Sequence, residues 1–137
     1  MARKKKLSLR LPASWRSDAE RLAAHYALVI SRRHPDGRPL TRTEVLCRAL
    51  RRGLQALRDG ALPTPCGGGV WRCAIVADQD LLDDVMGLAH RWHLEVARVA
   101  RYAIGLGLGL LIEAAKLEGA RDNFVDSARG PGCSEAH

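Results

Sequence analysis

The stretch Lys5-Lys6-Leu7-Ser8-Leu9-Arg10-Leu11-Pro12 constrains this chain more than any other. Apolar and polar residues alternate strictly through it. Successive side chains of a strand point to opposite faces, so Leu7, Leu9 and Leu11 share one face and Lys6, Ser8 and Arg10 the other. Pro12 has no N–H to donate and suits the end of a strand. Such a strand cannot stand alone. Its backbone groups need a partner strand, and its leucines need cover.

The cover is expected to be helical. Ser14 is placed to cap a helix over about Trp15 to Ser31, where Trp15, Ala19, Leu22, Ala23, Tyr26 and Ile30 recur at three- and four-residue spacing. His34-Pro35-Asp36-Gly37-Arg38-Pro39 reads as a loop. Thr41-Arg42-Thr43-Glu44 has the form of a capping box, with Thr41 and Glu44 satisfying each other's backbone N–H. The helix it opens carries Val45, Leu46, Ala49, Leu50, Leu54 and Leu57 on one stripe and Arg48, Arg51, Arg52 and Arg58 on the other face. Asp59-Gly60 closes it. Aromatic residues are only 4% of the 137, so the core must be built from Leu, Ala, Val and Ile. An apolar fraction of 47% allows a modest core and excludes global disorder.

The same order then recurs. After a Pro- and Gly-rich linker, Trp71-Arg72-Cys73-Ala74-Ile75-Val76-Ala77 reads as a second strand. A helix starts at Asp78 or Gln79 and uses Leu81, Leu82, Val85, Leu88, Ala89 and Trp92. A break near His93 precedes a last helix from about Glu95 to Leu117. Asp78, Asp80, Asp83 and Asp84 suit the N-terminal helix dipole. An offset of 66 residues places Leu9 on Ile75, Leu22 on Leu88, Ala23 on Ala89 and Tyr26 on Trp92. An offset of 54 places Val45 on Val99, Ala49 on Ala103, Leu50 on Ile104, Gly53 on Gly107 and Leu54 on Leu108. The expected division is a first unit at 1–61 with a basic arm, a linker at 62–69, a second unit at 70–118 and a disordered tail at 119–137. Gly105, Gly107 and Gly109 do not share one helix face, and a locally distorted segment is expected there.

Charge separates the halves. Residues 1–61 carry 15 Lys and Arg against 5 Asp and Glu, whereas residues 62–137 carry 7 against 10. A basic half is the footprint of a polyanion binder. The opening residues lack the apolar run of a signal peptide, and Tyr102 to Ile112 is too short to span a bilayer. A cytoplasmic protein with reduced thiols and no membrane partner is expected. Cys66-x6-Cys73 and His90-x2-His93 are not tight zinc spacings, so neither a metal nor another cofactor is expected. Gly67-Gly68-Gly69 follows a Pro-rich linker and reads as a hinge, not a nucleotide loop. No catalytic constellation stands out, and an enzyme is not expected.

Leu7-Ser8-Leu9-Arg10-Leu11-Pro12, the amphipathic helix after it, and Leu40-Thr41-Arg42-Thr43-Glu44-Val45-Leu46-Cys47-Arg48-Ala49-Leu50-Arg51-Arg52-Gly53-Leu54 together resemble the ribbon–helix–helix family, which includes the Arc and methionine repressors. The resemblance covers residues 5–57 well and 71–112 more loosely. It implies a mainly α fold with a short two-stranded antiparallel β-ribbon. Two ribbon–helix–helix units in one chain would form an intramolecular pseudodimer, similar to the tandem members found among plasmid-transfer accessory proteins. A covalent link keeps each unit at high effective concentration around the other.

The resemblance also implies a use. The ribbon would enter the major groove of double-stranded DNA and contact bases through Lys6, Ser8 and Arg10, and through Arg72, Ala74 and Val76. Arg and Lys donate to guanine O6 and N7, and Ala or Val meets a thymine methyl. Two apolar residues among the second three make that strand unlike the family pattern. Phosphate contacts fall to Lys4 and Lys5 in the arm and to Thr41, Arg42 and Thr43. There the helix dipole and the N–H groups of Arg42, Thr43 and Glu44 favour an anion. Such contacts position a protein without specifying sequence. The expected role is a transcriptional repressor or autoregulator, with self-association on DNA an option. The alternatives are a relaxosome accessory protein at a plasmid or integrative-element transfer origin, with a relaxase partner, and an antitoxin holding a toxin through its C-terminal tail.

Overall fold

A computed structural model of the chain describes residues 4–33, 40–62 and 69–129. The elements follow in the order β1 (Lys4–Leu11), α1 (Ala13–Arg33), α2 (Arg42–Arg58), β2 (Trp71–Asp78), α3 (Gln79–Trp92) and α4 (Val96–Arg129). β1 and β2 form a two-stranded antiparallel sheet, with Leu7 opposite Ile75, Ser8 opposite Ala74 and Leu9 opposite Cys73. Each strand thus supplies the other's missing backbone partners.

The inner face of this ribbon meets the core as the alternation requires. Leu9, Leu11, Ile75 and Ala77 are buried, and Leu7 and Cys73 pack partly buried against the same cluster. A shift of one residue would have turned Ile75 outward. The cluster continues into the apolar stripes of the helices, through Val45, Leu46, Ala49 and Leu50 on α2 and Val99, Ala100, Ala103 and Ile104 on α4, all fully buried. α2 and α4 form the most extensive contact between elements.

That contact runs close because of two glycines. A side chain at Gly53 would run into the backbone carbonyl of Ala103, and one at Gly107 into that of Ala49. α4 is helical without interruption from Val96 to Arg129, so the expected distortion at Gly105, Gly107 and Gly109 is absent. Gly107 faces the helix crossing, Gly105 faces the Trp15 ring and Gly109 meets nothing. Tight packing on α2 explains Gly107, and no bend is needed to accommodate it.

Several boundaries differ from the sequence reading. β1 already contains Lys4 and Lys5, so these belong to the strand and not to an arm; residues 1–3 lie outside the described residues. α1 begins at Ala13, which puts Ser14 inside the first turn instead of at the cap. The Trp15 N–H donates to the Pro12 carbonyl at 3.0 Å, and this bond opens the helix two residues earlier than a Ser14 cap would. α4 runs past Leu117 to Arg129, which includes 119–129 of the segment expected to form a tail. Residues 34–39, 63–68 and 130–137, with Cys66, Cys133 and most of the expected loop and linker, lie outside the described residues.

Other local signals agree with the structure. The Thr41 Oγ1 accepts from the Glu44 N–H at 3.2 Å, and the Glu44 carboxylate accepts from the Thr41 N–H at 3.0 Å. Asp59 ends α2, and Gly60 follows at φ +103°, a left-handed conformation that favours glycine. His93 closes α3 at φ 56° and ψ 42°, where the break was expected. No helix among the described residues is long and apolar enough to cross a membrane.

Candidate nucleic-acid interface

The outer face of the ribbon is set by the same alternation. Lys6, Ser8, Arg10 and Arg72 are exposed, Val76 is half-exposed and Ala74 is partly buried. All six candidate base-contacting residues therefore lie on one face. The register places Lys6 opposite Val76, Ser8 opposite Ala74 and Arg10 opposite Arg72. The last pair sets like charges directly across the strands, which opposes the pairing unless an anion lies over them. A major groove about 12 Å wide admits a two-stranded ribbon.

The structure adds a cation that the sequence reading missed. Arg101, from the second turn of α4, joins Lys6, Ser8, Arg10, Arg72 and Ala74 in lining a groove of about 620 Å³ along one edge of the ribbon. Among the described residues no carboxylate lines it, and the Arg101 Nε is buried with no hydrogen-bond partner. A buried donor left unpaired is costly, and a charge-assisted bond to an incoming acceptor would remove that cost. The signal was present in the sequence. Arg101 interrupts a stripe formed by Val99, Ala100, Ala103 and Ile104, and the 54-residue offset pairs it with Cys47.

The expected phosphate-contacting residues are brought together only in part. Lys4, Thr41 and Thr43 line a second groove of about 470 Å³, with Val76 on the same wall. Glu44 and Asp78 line it too, so its charge is mixed. Alternation puts Lys4 on the outer face, opposite Asp78, and Lys5 on the face of Leu7, exposed and opposite Ala77. Arg42 does not line this groove. Its Nη1 lies 3.4 Å from a Glu20 carboxylate oxygen, and its guanidinium carbon sits 5.9 Å from the centre of the Trp71 ring. Glu20 also holds Arg16, at 3.4 Å. The Glu44 N–H expected to be free for an anion is taken by the Thr41 cap.

Three further arginines of α2 are tied into the fold. Arg51 pairs with Asp78 at 3.7 Å, and Arg58 with Asp84 at 2.7 Å. Two of the four aspartates near the start of α3 thus neutralise arginines from the basic half. Asp78 makes no side-chain cap to the helix it precedes. Arg48 stacks over Tyr26, 5.3 Å from the ring centre. Lys6, Arg10, Arg72 and Arg101 instead line one groove together.

Beneath the ribbon lie two thiols. The Cys47 Sγ donates to the Val76 carbonyl at 3.2 Å. Burial pushes the pKa of Cys47 up, offset in part by Arg51, and burial does the same at Cys73. Both therefore stay protonated at neutral pH and behave as small packing groups. Among the described residues, no three His, Cys, Asp or Glu side chains gather into a metal-holding group.

Comparison with protein-family models, curated proteins and solved structures finds no match for this chain.

Proposed function

We propose that this chain is a sequence-specific binder of double-stranded DNA and acts as a transcriptional repressor or autoregulator. In this reading it is a single-chain pair of ribbon–helix–helix units whose β1–β2 ribbon enters the major groove. The observation that carries it is the outer face of the ribbon, where Lys6, Ser8, Arg10 and Arg72 stand exposed and the one acidic residue, Asp78, lies at the Lys4 end. A protein surface has little use for two arginines opposed across a strand pair unless an anion accompanies them.

Reciprocal packing supports the pairing of units. Ser8 lies opposite Ala74, and these are two positions that the 66-residue offset equates. Gly53 meets Ala103 and Gly107 meets Ala49, contacts that the 54-residue offset exchanges. Such mutual contacts are what a two-fold arrangement produces. The joining of both units in one chain also suits an accessory protein at a transfer origin. Footprints beside a relaxase nick site, with no effect on a nearby promoter, would favour that role over repression.

The test is a gel shift and footprint on duplexes selected from a random pool, with the wild type and the Lys6→Ala/Arg10→Ala double variant. Specific binding at moderate salt should be lost, while weak salt-sensitive binding remains. A double variant that keeps specific binding refutes the ribbon as the reader.

A further inference from the structure

The two ends of the ribbon are chemically unequal. Lys6 faces Val76 at one end and Arg10 faces Arg72 at the other, with Ser8 and Ala74 between them. The 66-residue offset exchanges the ends: Lys6 corresponds to Arg72, and Arg10 to Val76. Matched units would present the same pair at both ends. Here a half-exposed valine stands where the counterpart of Arg10 belongs.

The inequality continues beside the ribbon. At the Arg10–Arg72 end, α4 contributes Arg101 to a groove that runs along the ribbon to Lys6 and that, among the described residues, no carboxylate lines. At the Val76 end, α2 contributes Cys47 at the corresponding position, and Glu44 and Asp78 line the groove. One end is built to meet an anion with several donors. The other offers Lys4, a methyl-bearing surface and mixed charge.

We infer that the ribbon reads a non-palindromic site, guanine-bearing under Arg10 and Arg72 and thymine-bearing under Val76, with Arg101 holding a backbone phosphate of the guanine-bearing half. The inference rests on the DNA-binding reading above. Arginine donates bidentately to guanine O6 and N7, whereas valine has no hydrogen bond to give and packs against the thymine methyl. The unpaired Arg101 Nε gains its acceptor when the phosphate arrives.

The experiment selects duplexes from a random pool with the full chain, then repeats the selection with Val76→Arg, Arg72→Ala and Arg101→Gln. The wild-type consensus should lack dyad symmetry. Replacing its guanine should weaken binding roughly 5- to 140-fold, the span of about 1–3 kcal/mol for one bidentate base contact. Val76→Arg should bring guanine into the second half, and Arg72→Ala should relax the first half alone. Arg101→Gln should weaken all sites alike and lower the salt slope by about one unit. A palindromic wild-type consensus overturns the inference. So does a folded Val76→Arg variant, checked by circular dichroism, that keeps the wild-type consensus. An unchanged salt slope for Arg101→Gln overturns its phosphate contact. A pool with no enriched sequence overturns the DNA-binding reading itself, an outcome distinct from an enriched palindrome.

Discussion

Replacing Gly107 by alanine tests the packing on which the ribbon stands. An added Cβ would lie 2.8 Å from the Ala49 Cα and closer still to the Ala49 carbonyl. Atoms of a helix backbone cannot rotate aside as a side-chain tip can, so α2 and α4 must move apart. The move loosens a contact whose residues, Val45, Leu46, Ala49, Leu50, Val99, Ala100, Ala103 and Ile104, are all fully buried. A gap of only about 0.5–1 Å forfeits a quarter to a half of each dispersion well. Overpacking of this kind costs about 1–3 kcal/mol, and clashes with backbone fall at the upper end. Higher helix propensity returns about 1 kcal/mol. The net expectation is a loss of about 2 kcal/mol, a large part of the roughly 5–15 kcal/mol that keeps a domain folded.

Urea denaturation followed by far-ultraviolet circular dichroism measures that loss. Gly53→Ala should cost a similar amount, because its Cβ meets Ala103 as that of Gly107 meets Ala49. The double variant should lose less than the sum of the singles, since one separation of the helices relieves both clashes. Gly109→Ala is the control. It lies in α4 with nothing within 4 Å of its Cβ and should gain up to about 1 kcal/mol. A Gly107→Ala protein as stable as Gly109→Ala would refute the close crossing of α2 and α4.

Two further expectations concern single groups. Cys47 and Cys73 hold their protons more tightly in the native state, because burial raises both pKa values above the ordinary 9.0. Their contribution to stability is therefore complete below pH 9.0 and declines as pH rises through the native values. Alkylation by iodoacetamide at pH 8 should accordingly be slow at both thiols until denaturant is added, and equal rates with and without it would contradict their burial. Arg42 must leave Glu20 to reach a phosphate. Glu20→Gln should then tighten DNA binding on all sequences and Arg42→Ala should weaken it, both read by fluorescence anisotropy across a salt series. Unchanged affinity in both variants removes Arg42 from the contact set.

Much of the fold was legible in local pattern. Alternation in residues 6–11 assigned Leu9 and Leu11 to the core and Lys6 and Arg10 to the surface, because a strand allows only two faces. The capping box at Thr41 and Glu44 is a contact between residues three apart, and three residues suffice to recognise it. The end of α1 nearest β1 was read less well. Whether Ser14 caps or merely joins the first turn depends on which carbonyl takes the first N–H, and that of Pro12 takes the Trp15 N–H.

The candidate site divides the same way. Sequence alone determined which residues the ribbon turns outward, since strand period is local and needs no partner. It also carried the inequality between Arg10 and Val76, which an internal offset exposes. Tertiary structure alone decided which cations remain uncompensated. Arg51, Arg58 and Arg42 look free along the chain, yet each meets a carboxylate that lies 22 or more residues away in sequence. Arg101 looks like an interruption of an apolar stripe until α4 packs beside β1 and brings it to Arg10 and Arg72. Ion pairs and grooves arise between elements distant in sequence, so their membership waits on packing. The side-chain period of a strand does not.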